Sequence, residues 1–189
     1  MFTLGCTHER LDLNLYSPEK PLVAGSDGFL SSRLRDVGAF VETLSKAPIT
    51  IEYSGCWYLN KEEILQASEQ NRRIVLVGYS GGCYDGVIKT ANWCKERYIN
   101  IPLVVLIDPT YTLSKRHKIP SNVARVKPYF SSAPLDFFGW ARGDYAGILV
   151  EDPDVTVIEQ PRYLKGSHVA WDKKVFMEDF INEINYLTD

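Results

Sequence analysis

Three side chains of this 189-residue sequence have the types and the order of a hydrolytic relay: Ser80, Asp108 and His168. Ser80 sits in Gly78-Tyr79-Ser80-Gly81-Gly82, which fits G-x-S-x-G. That pattern suits a sharp strand-to-helix turn that lifts one hydroxyl out of a sheet, with glycines where a Cβ would strike the neighbouring backbone. A serine hydroxyl is a weak nucleophile until a base takes its proton, so the histidine supply is the test. There are three. His8 precedes the first core strand, His117 lies in a basic loop, and only His168, in Gly166-Ser167-His168, follows the last strand as the order Ser, acid, His requires.

The acid has two candidates. Asp108 ends the strongest apolar run of the chain, 28 residues after Ser80, at the sheet edge where α/β ligand sites form. Followed by Pro109, it also reads as a helix N-cap. Asp136 follows the next strand but lies several residues into an irregular segment, so Asp108 takes precedence. The Gly81 N–H and the loop near Ser26 are the expected oxyanion donors. Asp27 would oppose a developing oxyanion, and it is expected to turn away and cap the helix that begins near Leu30. Tyr79, Phe137, Phe138 and Trp140 are candidates for an apolar substrate pocket. Five Lys/Arg residues and no acid lie between Lys115 and Lys127, a local basic patch that an anionic substrate group would explain.

These residues need a scaffold, and the pattern supplies one. Residues 10–16 alternate with period two, as an edge strand does. Pro21–Gly25 reads as a buried strand, followed by a helix with Leu30, Leu34, Val37, Val41 and Leu44 on one face. Ile49–Tyr53 is the next strand, and Asn60 with Glu63 opens a helix running to about Gln70. The strand Ile74–Val77 leads to the turn at Ser80, and Val87, Ala91, Cys94 and Tyr98 mark the helix after it. Ile101–Asp108 is apolar throughout, as a central parallel strand must be. Ala124–Phe130 is a further strand, residues 134–147 read as a loop or cap, Val155–Glu159 is the last strand, and Tyr163–His168 is a loop. A closing helix carries Phe176, Phe180, Ile184 and Leu187. This alternation predicts one domain, a three-layer α/β/α sandwich with a mostly parallel central sheet.

Composition bounds the function classes. The chain is 45% hydrophobic and 24% charged, with no apolar run near the roughly 18 residues a membrane span needs. The amino end lacks the basic and apolar regions of a signal peptide, so a cytoplasmic location is expected. A net charge of −3 gives no whole-chain attraction to nucleic acid. Four cysteines without C-x-x-C spacing argue against zinc and against a disulfide framework, leaving free thiols.

The pattern Gly78-Tyr79-Ser80-Gly81-Gly82, with Asp108 and His168, resembles the α/β-hydrolase superfamily over about residues 20–187. An acid directly after the strand that follows the elbow helix is similar to thioesterase domains of lipid and peptide synthases. Ile119–Val123, Pro128–Phe130 and His168–Asp172 also resemble small bacterial and phage hydrolases. The resemblance implies a minimal fold without a large lid, and esterase, thioesterase or lipase-like acyl-enzyme chemistry on a small-molecule acyl ester or thioester, without metal or organic cofactor. The chain departs from many relatives in lacking a His-Gly pair at the oxyanion loop, which points to a small-substrate or exposed-site enzyme over an interfacial lipase. Two other classes compete: a nucleotide-binding protein using the glycines of 78–82 as an anion cradle, and a hydrolase-like fold kept for binding alone. The glycine spacing matches neither G-x-G-x-x-G nor a P-loop.

Overall fold

The computed structural model describes residues 11–28, 33–53, 61–109, 118–132, 148–167 and 170–188. His168, Asp136, Phe137, Phe138, Trp140, Leu30 and Asn60 lie outside these residues. Four strands form the centre of a parallel sheet: β1 (Leu22–Asp27), β3 (Ile74–Tyr79), β4 (Leu103–Ile107) and β6 (Arg125–Ser131). Outside them lie β2 (Ile49–Tyr53) on one edge, and β8 (Val157–Ile158) with β9 (Arg162–Leu164) on the other. The order is β2-β1-β3-β4-β6-β8, with β9 pairing further along β6. A separate parallel pair joins β5 (Lys118–Ile119) to β7 (Leu149–Val150).

Both faces of the sheet are covered, and the alternation of each strand decides which face a side chain joins. Val23, Val75, Val77, Leu103, Val105 and Ile107 pack against α1 (Arg33–Ser45) and α4 (Lys173–Tyr186). On the other face Leu22, Ala24, Leu76, Val104 and Leu106 pack with α2 (Lys61–Glu69) and α3 (Lys89–Lys95). The three-layer α/β/α sandwich expected from the sequence is therefore present. No described helix is long and apolar enough to cross a membrane.

Four local expectations are corrected. Residues 13–15 form a 3-10 turn rather than an edge strand. The buried Arg72 guanidinium collects the carbonyls of Leu13, Ser17 and Lys20 at 3.2, 2.5 and 2.9 Å, so this segment curls around a side chain instead of pairing. Leu44 of α1 is 55% exposed, the apolar face being completed by Gly38 and Ser45. Tyr98 is 93% exposed beyond the end of α3. The last strand is broken in two, and part of the expected loop Tyr163–His168 is strand β9. Ile158 pairs with Val126 and Arg162 with Tyr129, so three residues (159–161) face two (127–128), and prolines 161 and 128 remove ladder donors there.

Candidate active site

The turn after β3 has the strained backbone that the glycine pattern predicts. Ser80 has φ +55°, a left-handed conformation unusual for a residue with a Cβ, and such strain collects at functional positions. Its N–H donates to the Ile107 carbonyl at 2.9 Å, which ties the turn to the neighbouring strand. Two glycines are required by close approach. A Cβ on Gly78 would lie 2.7 Å from Cys83 Cα, and one on Gly82 would lie 2.2 Å from the Ser26 carbonyl oxygen. The chain then enters a π-helical turn, Cys83–Ile88, before α3. This is wider than the α-helix that the apolar spacing implied, and π turns recur at functional sites.

Ser26 lies within β1 opposite Gly78, its side chain buried against the position of Gly86. The residue that meets Ser80 is Gly28, where a Cβ would stand 2.9 Å from Ser80 Cβ and 3.4 Å from Ser80 Oγ. The sequence reading missed Gly28, and its only sequence signal was a second glycine three residues after Gly25. Asp27 turns toward α1 as expected. Its Oδ2 accepts from the N–H groups of Leu34 and Arg35 at 3.1 and 3.3 Å, and its Oδ1 accepts from Gly28 N–H at 2.9 Å. Anionic charge at a helix N-terminus is favourable, so this carboxylate is engaged at the start of α1. Its bond also takes up the Gly28 N–H.

Asp108 is 1% exposed and has φ +44°. Its N–H donates to the Tyr129 carbonyl at 2.8 Å, and its Oδ1 accepts the Ser131 N–H at 2.6 Å. The carboxylate thus engages the end of β6 across the sheet edge. Tyr79 is buried and packs edge-to-face on Trp171 at 5.9 Å. Burial pushes its phenol far above the ordinary range, opposed by the nearby Arg33 cation. Cys83 lies behind the serine with its thiol directed at the Ile107 carbonyl at 3.6 Å, and burial raises its pKa strongly, so it is no rival nucleophile.

The segment around residue 168 is tied to the same edge at both ends. Ser132 N–H donates to the Leu164 carbonyl at 2.8 Å, and Gly166 N–H donates to Ser132 Oγ at 3.3 Å. On the far side Trp171 rests on Tyr79, the residue before Ser80. The described residues flanking His168 therefore contact the end of β6, whose Ser131 N–H meets Asp108, and Tyr79, the residue before Ser80. Two of the five cations of the expected basic patch, Arg125 and Lys127, are paired with acids, while Lys115 and Arg116 lie outside the described residues. Lys127 is buried, with Nζ 3.0 Å from Asp179 and 2.5 Å from Glu183, and Arg125 pairs with Glu159 and Glu183 at 2.8 and 2.6 Å. Acids distant in sequence, most of them on α4, neutralise these cations.

No protein-family model matches the sequence, and neither does any curated protein. Solved structures do match. An esterase of the hyperthermophilic archaeon Pyrobaculum calidifontis superposes with a TM-score of 0.59 at 15% identity, over 89% of this chain and 76% of that one. The fold is α/β-hydrolase-like. One of the metagenome-derived lipolytic enzymes LipS and LipT gives a TM-score of 0.54 at 12% identity, over 88% of this chain and 94% of its own. Human thioesterase 2 gives 0.50 at 13% identity, over 89% and 98%. At these identities the likeness is one of fold.

Proposed function

We propose that the protein is a serine hydrolase that cleaves a small carboxylic ester or thioester through an acyl-enzyme. Ser80 is the nucleophile, His168 the general base and Asp108 the carboxylate that orients it. The observation that carries this reading is the positive φ of Ser80 at the end of a central parallel strand, with Gly28 packed against its side chain. A residue in that conformation presents its hydroxyl at the sheet edge, and the strain is supported by two glycines and a cross-strand hydrogen bond. Asp108, gripped by the Ser131 N–H one strand over, supports the choice of acid over Asp136.

In the proposed reaction His168 takes the Ser80 proton as Oγ attacks the acyl carbon, and the Gly81 N–H with a donor from the loop after β1 receives the oxyanion. The protonated base then passes its proton to the leaving alcohol or thiol, and water repeats the sequence to release the acid. Tyr79 and the aromatics Phe137, Phe138 and Trp140 are proposed to wall the acyl pocket. The test is a panel of p-nitrophenyl esters and acyl thioesters with a fluorophosphonate probe. Ser80→Ala is expected to abolish labelling and reduce turnover by about 10⁴-fold or more while leaving the fold intact. Unchanged labelling would remove the reading.

A further inference from the structure

Three successive residues at the end of β1 run against the first turns after Ser80, each where the partner lacks a side chain or has a small one. Gly28 faces Ser80, and the Ser26 and Asp27 carbonyls press on Gly82, whose added Cβ would lie 2.2 and 2.7 Å from them. The third contact is the least expected. A Cβ on Gly86, in the π-helical turn, would fall 2.2 Å from both Ser26 Cβ and Ser26 Oγ. Because Ser26 Cβ is itself in the way, rotating the hydroxyl cannot relieve the overlap, and the backbone of β1 or of the turn must shift. Ser26 Oγ is buried with no hydrogen-bond partner among the described residues, beside a small cavity of about 10 Å³ that reaches Thr90. Its contribution is therefore one of shape.

We propose that the Ser26–Gly86 contact is a positioning device for the oxyanion donors: Ser26 wedged on Gly86 sets the spacing between Gly28, at the end of β1, and the turn that carries Ser80. This rests on the serine-hydrolase reading. Oxyanion donors act only within a few tenths of an ångström of the developing charge, so a displaced donor impairs the chemical step more than substrate capture. Ser26 and Gly86 touch no reacting atom and are positioning residues.

The experiment compares Gly86→Ala with the size-swapped double variant Ser26→Gly/Gly86→Ala, using p-nitrophenyl butyrate well below the melting temperature and a trifluoromethyl ketone that forms an oxyanion adduct. Gly86→Ala is expected to lower kcat by about 100-fold, with KM within about threefold and ketone affinity falling in parallel with kcat. The double variant should regain most of the kcat and the ketone affinity. The proposal is overturned by a folded Gly86→Ala with kcat within about twofold of the parent, or by a double variant that recovers stability but not kcat. If Gly86→Ala does not fold, the double variant alone decides by the same criterion. Parent protein labelled at Ser80 with an unimpaired Gly86→Ala defeats only this contact. Full turnover by Ser80→Ala defeats the serine reading itself.

Discussion

The elbow around Ser80 and the ion cluster on α4 both break the usual rules of a protein interior, in opposite ways. At the elbow, Gly78 and Gly82 let backbones meet, and Gly28 and Gly86 make room for the Ser80 and Ser26 side chains, at distances no Cβ tolerates. In the cluster, three cations (Arg125, Lys127, Arg162) and three acids (Glu159, Asp179, Glu183) are brought together over the end strands, with the Tyr129 hydroxyl donating to Asp179. The charges cancel, three against three. The elbow stores backbone strain at one residue, whereas the cluster places its liability in desolvation. Strain of the first kind is expected where chemistry occurs. Paired buried charge contributes little net stability but is destructive when one partner is lost.

The two regions should therefore fail differently. Ser80→Ala is the extreme on one side: activity vanishes, and the thermal midpoint measured by circular dichroism should hold, because alanine keeps the Cβ and the backbone strain of the position is unchanged. Lys127→Met is the counterpart. It leaves Asp179 and Glu183 facing each other beside a buried Tyr129, and is expected to cost about 3–5 kcal/mol in urea unfolding. The kcat of the fraction that remains folded should change little. If Lys127→Met lowered kcat as much as stability, the cluster would have to be counted as part of the active site.

Smaller effects sharpen the same contrast. Arg162 is more than half exposed although it reaches Asp179 at 2.9 Å, so Arg162→Ala should cost less than about 1 kcal/mol. Its effect should shrink further in high salt. The weakest effect is alkaline. Burial raises the Cys94 thiol from 9.0 to about 12, so the folded state keeps a proton that the unfolded chain releases. Stability from this group is complete below pH 9 and declines as pH rises toward 12. A melting series over that range should fall less steeply for Cys94→Ala than for the parent.

The elbow was legible in the sequence because its physics is local. A run of Ile, Val and Leu, a glycine two residues on each side of a serine, and a helical spacing beyond it require no distant partner to be recognised. Asp108 was legible for the same reason, as the residue that ends a wholly apolar strand. Arg125 and Lys127 were counted into a basic patch because their acids are remote in sequence, Lys127 lying 52 residues from Asp179 and 56 from Glu183. Only the packing of α4 on β6 shows that these charges are paired. The segment near residue 13 was misread in the same way, its alternation being real but its carbonyls claimed by Arg72.

The sequence by itself determined the central strands β1, β3, β4 and β6, their parallel stacking and the turn at Ser80, since period, apolar runs and glycine spacing act over a few residues. Tertiary structure decided what surrounds that turn. It set Gly28, rather than Ser26, against the serine, turned Asp27 onto α1, gave the Asp108 carboxylate the Ser131 N–H, and seated Ser26 on Gly86. Each of these joins segments between 7 and 60 residues apart, and a contact across such distances exists only once the sheet has brought the strand ends together.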